Sequence, residues 1–193
     1  MAHGTTNSDE TRMKLSIGSG DRQLPGWTRL DIDPACAPDI LADITRPLPF
    51  PDASVASILC EEVVTQIPLE ACAGFLGECR RVLAPDGAVR VLMPNLRKFL
   101  KAYFDDPQWL VDTWKKHVGL PLTLETPAEV INRGFRLVGP FMYDLETFKA
   151  IAEPAGFEVR EVDFCQSSRS EFRNLDLRKP HESASIYLEL WPR

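Results

Sequence analysis

The feature that most restricts the fold of this chain is a recurring pattern. Short apolar runs stop on a glycine or an acid, and turns or amphipathic stretches separate them. Met13 to Ile17 runs into Gly18-Ser19-Gly20. Thr28 to Asp33 ends in carboxylates, and Asp39 to Ile44 carries Asp43 near its end. Val55 to Glu61 is apolar up to Cys60 except for Ser57, and Ala88 to Met93 stops at Pro94. Between them, Pro68 to Leu83 has helical spacing, with Leu69, Cys72, Leu76, Cys79 and Leu83 on one stripe and Pro68 at the first helical position. Pro85-Asp86-Gly87 reads as a turn. Strands alternating with helices predict an α/β fold: a Rossmann-like, mostly parallel seven-stranded sheet with helices on both faces.

The carboxyl-terminal part extends this pattern. Leu96 to Phe104 reads as a helix. Asp144 is placed to cap another, with Leu145, Phe148, Ile151 and Ala152 as its stripe and Gly156 to end it. Phe157 to Phe164 and Ser185 to Trp191 read as strands with no clear helix between them, so they are expected to pair antiparallel. Ser185 to Trp191 is apolar enough to pair across a dimer, and an internal sheet position explains it equally well. The expected oligomeric state is therefore monomer or homodimer. Residues 1–12 are polar and read as a disordered tail, leaving 13–193 as one domain.

Composition excludes several classes. With 44% hydrophobic residues among 193, the chain can bury a core, and 26% charged residues argue against disorder. A net charge of -6 disfavours a nucleic-acid partner. The stretch Arg169 to Lys179 is basic but contains Glu171 and Asp176, and reads as a solvated loop. Five cysteines without a CxxC pair predict reduced thiols in a cytoplasmic protein, with neither a disulfide frame nor a metal site. No apolar run approaches the ~20 residues that cross a membrane.

In parallel α/β sheets, ligands sit at the carboxyl ends of the strands, where the candidate binding residues fall. Glycines at 18 and 20 allow a sharp turn and close backbone approach to a ligand, although a tight turn alone would also select them. Asp31, followed by Ile32 and Asp33, is placed to accept hydrogen bonds from a ribose diol, or serves as an ordinary strand-end aspartate. Asp43 suits an adenine amine, with the adjacent Ile44 N–H directed at a ring nitrogen, or it caps the turn before Pro47. Cys60, Glu61 and Glu62 end the fourth strand on the same crevice. Acids at successive strand ends suit a neutral or cationic nucleoside and repel a pyrophosphate. The short distance from Gly20 to Asp31 also disfavours a dinucleotide fold.

These residues, with Lys14 to Gly20, Leu24 to Pro34, Ala42 to Val55, Arg81 to Asn95 and Gly156 to Val159, resemble the class I S-adenosylmethionine (SAM)-dependent methyltransferases, specifically the small bacterial methyltransferase type 11-like group. The resemblance covers residues 13–100 well and 140–193 loosely. It implies SAM as cofactor, with S-adenosylhomocysteine (SAH) as product. It implies that Gly18, Ser19 and Gly20 bracket the methionine moiety, that Asp31 and Ile32 hold the ribose, and that Asp43 and Ile44 hold the adenine. Cys60 and Glu61 would line the methionine end. Two departures stand out. Relatives often read His-Val-Leu-Glu-His-Leu after the fourth strand, where this chain reads Glu62-Val-Val-Thr-Gln-Ile67, and many carry Gly-His where Gly139-Pro140 stands here. No family role for those histidines carries over.

Residues 105–142 interrupt the sheet pattern and carry Trp109, Trp114, His117, Phe135 and Phe141. They read as a lid or acceptor pocket, or as a helical hairpin whose aromatics are its own core. His117 and Tyr143 are the candidate catalytic residues if the acceptor must lose a proton. A carboxylate acceptor needs no base, and Arg133 or Arg136 would orient it. The expected function is methyl transfer to an O, N or carboxylate of a small molecule. The alternative is a non-catalytic SAM-fold binding protein or partner subunit.

Overall fold

The computed structural model describes residues 12–193. The expected tail lies outside them apart from Arg12, whose guanidinium meets the Asp86 carboxylate at 2.6 Å. The strands are β1 (Met13–Ile17), β2 (Thr28–Asp31), β3 (Ile40–Leu41), β4 (Val55–Glu61), β5 (Leu83–Pro94), β6 (Phe157–Glu161) and β7 (Ser185–Pro192). They form one seven-stranded sheet in the order β3-β2-β1-β4-β5-β7-β6. β1 to β5 run parallel, and β7 pairs antiparallel with both β5 and β6. The expected mostly parallel sheet with an antiparallel last strand is the one observed. β7 is internal to it, so its apolar character is explained within a single chain.

The link from β1 to β2 holds no helix. Only the glycine turn and the Leu24–Trp27 turn bridge these parallel neighbours, which is why the second acid follows Gly20 so closely. Pro85-Asp86-Gly87 does not separate helix from strand. The helix α1 (Leu69–Val82) passes directly into β5, and these residues bulge out of the ladder, since Val55 pairs with Leu83 while Ser57 already pairs with Ala88. Gly87 is required there, because a Cβ would meet the Ala56 carbonyl oxygen at 2.7 Å.

The two faces of the sheet are covered differently. On one face, α1 and α5 (Leu145–Ala152) bury Cys72, Phe75, Leu76, Cys79, Phe148 and Ala152 against Ile17, Ile58, Cys60, Val89 and Val91. Asp144 caps α5 through Thr147 N–H at 2.9 Å, as expected. All five cysteines are free, and Cys60, Cys72 and Cys79 share this core. On the other face, Leu59, Leu92 and Tyr187 pack under Leu24, Trp27, Val162, Phe164 and Leu175. That cover is a loop, 162–184, containing one short 3-10 turn at Ser170–Phe172.

The basic stretch 169–179 is therefore only partly a solvated loop: Arg173, Arg178 and Lys179 are exposed, but other residues reach inward. Phe172 is fully buried with its ring 6.1 Å from that of Trp27, and Asp176, 6% exposed, is held by Arg90. Period-two alternation on β5 puts Val89 and Val91 in the helical face and Arg90 in the other. Its guanidinium bonds both carboxylate oxygens of Asp176, lies 3.4 Å from Glu189, and donates to the carbonyls of Asp163 and Gln166. A buried cation needs such saturation, and sequence periodicity alone does not show that its partner sits 86 residues away.

Three helices stand at the carboxyl edge: α2 (Leu96–Asp105), α3 (Pro107–Thr113) and α4 (Pro127–Val138), with a single π-turn at Trp114–Val118 following α3. Each start carries its own cap: Asn95, Asp106 before Pro107, and Thr126 before Pro127. Leu110, Val111, Trp114 and Val130 form a separate small core with Phe99 from α2. This helical segment, called the lid for its position over a cavity at this edge, therefore packs together with α2 and is not confined to residues 105–142.

Removing one partner of the Arg90–Asp176 pair leaves a buried uncompensated charge. Asp176→Ala is expected to lower stability by about 3–5 kcal/mol. Arg90→Met combined with Asp176→Leu is expected to cost less than the single change. Urea unfolding monitored by circular dichroism checks both.

Candidate functional site

The carboxyl ends of β1, β2 and β4 and the turn after β3 share one edge of the sheet, and the first binding elements lie there. Gly18 has φ +61° and donates its N–H to Leu30 O at 2.8 Å. A Cβ at this position would lie 2.2 Å from Val63 Cγ2, so both conformation and space demand glycine. Gly20 N–H donates to Asp31 Oδ2 at 2.8 Å, and Asp33 N–H donates to Asp31 Oδ1 at 3.0 Å. The glycine turn and the second strand's acid are thereby fixed to each other. Asp43 accepts from both Thr45 N–H (2.9 Å) and Thr45 Oγ1 (2.7 Å), and both bonds fall on Oδ1. These bonds hold its carboxyl below the usual carboxylate range. Asp43 is thus a turn cap that also faces the crevice.

Two adjoining hollows follow this edge. A cavity of about 450 Å³ is lined by Gly18, Asp31, Ile32, Asp43, Ile44 and Glu62 among others. Gly18 and Glu62 also border a smaller one of about 160 Å³, with Ser19, Arg22, Leu59, Glu61 and Arg178. Glu61 accepts from Arg22 at 2.7 Å and from Leu177 N–H at 3.0 Å, so the 162–184 loop is tied over this smaller hollow. Burial raises the Glu61 pKa, while the Leu177 N–H and Arg22 oppose the rise.

A third cavity, of about 540 Å³, opens beneath the lid. Phe99, Trp109, Trp114 and Met142 form apolar walls, and Glu62, Gln66, His117, Arg178 and Glu182 supply polar groups. The aromatic segment packs as a helical unit with its own core, and Trp114 belongs both to that core and to the cavity wall.

The expected residues separate accordingly. Gly18, Ser19, Asp31, Ile32, Asp43, Ile44 and Glu61 line the two hollows along the strand ends, and Gly20 supports Asp31 from behind. Cys60 is not among them; its side chain is fully buried in the helical-face core, where strand alternation sends it while sending Leu59 to the opposite face. His117 is half-buried on the lid cavity wall. Tyr143 lines none of these hollows. It is fully buried between Phe141 and Phe148, and burial raises its hydroxyl pKa well above the usual tyrosine value. Arg133 is held by Glu129 at 2.8 Å on the lid surface, and Arg136 is likewise outside the cavity.

Residues not expected along these cavities are Arg22, Gln66 and Arg178; Glu62 was expected at the strand-end crevice, and the structure adds that it also borders the third cavity. Glu62 and Gln66 stand where relatives often carry histidines, and both line the lid cavity and the larger strand-end cavity. That register was readable in the sequence; what the side chains face was not. Among the described residues, no group of three or more His, Cys, Asp or Glu could hold a metal ion, and no helix is long and apolar enough to cross a membrane.

Residues 28–91 match the methyltransferase domain family. No curated protein matches the sequence. The fold is similar to a SAM-dependent methyltransferase from Thermotoga maritima described as a possible histamine N-methyltransferase: TM-score 0.56, 15% identity, covering 94% of this chain and 82% of that one. A SAM-dependent methyltransferase from Archaeoglobus fulgidus aligns with TM-score 0.55 and 14% identity, covering 93% of this chain and 85% of that one. A putative methyltransferase from Haloferax volcanii, in complex with the Trm112 methyltransferase activator, aligns with TM-score 0.53 and 14% identity, covering 94% and 84%.

Glu62 gives this site a pH signature. Burial, with Glu61 adding to it and Arg178 opposing, pushes its pKa up to about 7 from 4.5. Folding therefore takes up a proton between these values, and the stability associated with Glu62 falls as pH rises from 4.5 to 7. Glu62→Gln should gain stability relative to wild type across that window and hold a constant difference outside it, as read by thermal unfolding at a series of pH values.

Proposed function

We propose that this chain, which carries a class I SAM-dependent methyltransferase domain, transfers the SAM methyl group to an O, N or carboxylate of a small molecule seated beneath the lid. The observation that carries this reading is the shared wall between cavities. Glu62 and Gln66 border both the lid cavity and the hollow lined by Asp31 and Asp43, so an acceptor and a nucleoside bound in the two would be neighbours.

The residues fit the cofactor. Glycine at 18 lets the turn pack directly on Val63 with a positive φ, which sets the turn's backbone on the rim of both strand-end hollows. Asp31, whose two backbone bonds leave lone pairs on both oxygens, accepts from the ribose hydroxyls, and Asp43 together with Ile44 receives the adenine edge. The smaller hollow, with Ser19, Leu59 and Arg178, takes the methionine end. The acids at this edge favour a cationic ligand. Bound there, SAM supplies an electrophilic methyl group on a sulfonium. The chain's own contribution is to hold the acceptor in line and to exclude water with the lid. A lid cavity of about 540 Å³ is within the range of small-molecule sites. His117 on its wall is available to orient an acceptor, whereas the buried Tyr143 hydroxyl has no route to one.

A second reading is a non-catalytic or partner-dependent subunit. The Haloferax volcanii structure is itself a complex with an activator. In this chain the outer edge of the sheet is the two-residue strand β3, with Leu41 60% exposed beside Ile32 at 65%.

Calorimetric titration of SAH tests the cofactor site. Hydrogen bonds to a charged group contribute about 1.5–3 kcal/mol, so Asp31→Ala is expected to weaken binding about ten- to a hundredfold. Tritiated SAM with a small-molecule cell extract then separates the two readings. Labelled product supports transfer, and tight SAH binding with no labelled product supports the non-catalytic subunit.

A further inference from the structure

We propose that Glu62 takes the proton from the methyl acceptor, and that this acceptor is an amine carried on an apolar, aromatic-sized body. The inference rests on the methyltransferase reading above and narrows its acceptor. Among the described residues, Glu62 alone borders the lid cavity and both strand-end hollows. It stands where a nucleophile entering from the lid would meet a methyl group presented from the other side.

The fold holds it there under strain. Glu62 is a non-glycine residue with φ +60°, fixed by its N–H to Leu92 O at 2.8 Å. Such a conformation is unfavourable for a residue with a side chain, and the ladder to β5 has to maintain it. Its carboxylate accepts no hydrogen bond from any described residue, whereas the adjacent Glu61 is saturated by Arg22 and Leu177. A half-buried carboxylate without a donor is costly, and an arriving N–H supplies one. Its raised pKa, about 7, suits a group that exchanges protons near neutrality.

The charged and titratable groups that share a cavity wall with it are Asp31, Asp43, Glu61 and Arg22 on the strand side, Arg178 and Glu182 from the 162–184 loop, and His117 from the helical segment above. A carboxylate acceptor would approach Glu62 as a like charge and has no proton to give it. An ammonium instead gains Glu62, with Glu182 on the same wall and the faces of Trp109 and Trp114 for its apolar body. Arg178 also borders the methionine-end hollow, where the cofactor's own carboxylate is available to it.

The proton step is simple. The acceptor's N–H bond breaks, the proton moves to a Glu62 carboxylate oxygen, and the nitrogen keeps the electron pair. That pair forms the new N–C bond as the S–C bond breaks, with its electrons remaining on sulfur. Glu62 then releases the proton to solvent.

The test is calorimetry on SAH-saturated protein with three indole probes: tryptamine, tryptophol and indole-3-acetate. Tryptamine is expected to bind at least about tenfold more tightly than the other two. Its affinity should rise with pH through about 7, where Glu62 ionises. Glu62→Gln, titrated with the probes after SAH saturation has been established for that variant by its own SAH titration, should abolish both the preference and the pH dependence. Glu62→Asp, which keeps the charge one methylene further away, should retain a weakened version of both. The inference is overturned if tryptamine does not bind, if indole-3-acetate binds as well or better, or if Glu62→Gln keeps wild-type tryptamine affinity. Failure of SAH to bind wild type would instead sink the underlying methyltransferase reading.

Discussion

Parallel pairing of β1 with β2 and β4 is the constraint on which the rest depends. It sends the carboxyl ends of these strands to one edge, so residues far apart in sequence share a few ångströms of surface. Leu15, Ser16 and Ile17 pair with Thr28, Arg29 and Leu30 on one side and with Ile58, Leu59 and Cys60 on the other. Gly18, Asp31 and Glu61 then emerge together as each strand stops. The hydrogen bond from Gly20 to Asp31 fixes the first two to each other, and a β1–β2 link without a helix keeps that contact short.

The unusual economy of this domain lies on its second face. Where α1 and α5 bury one side of the sheet, the other is closed by a loop, and a loop needs fixed points. Arg90 supplies the principal one. Its guanidinium, fully buried, gathers Asp163, Gln166, Asp176 and Glu189 from separate parts of the chain. Asp176 also accepts from Cys165 N–H, and the next residue, Leu177, donates to Glu61. Packing under the sheet is in this way linked to the smaller strand-end hollow, which Leu177 and Arg178 also line.

Much of this was legible in the sequence because it follows from local rules. Apolar runs ending in a glycine turn or in acids located β1, β2 and β4, helical spacing located α1, and the Asp144 cap located α5. That the candidate residues at the strand ends line hollows followed from where parallel sheets leave a crevice. What was not legible depended on distant partners or on direction. Asp176 looked like a solvated acid in a basic loop because its partner is on another strand. Cys60 and Tyr143 were placed at the site by sequence proximity, yet alternation turns Cys60 into the helical core and the lid's exit buries Tyr143 beside Phe148. Glu62 was visible as one acid among three; only its left-handed backbone and its place between cavities distinguish it.

The central claim is that one crevice holds the nucleoside along the strand ends and presents its reactive end to the lid cavity at Glu62. A crystal structure of the SAH complex tests it most directly. The account predicts ribose hydroxyls on Asp31, adenine beside Asp43 and Ile44, and the sulfur facing the Glu62 side chain. A nucleoside seated among Phe99, Trp109 and Trp114 beneath the lid, with Asp31 making no contact to it, would contradict the account.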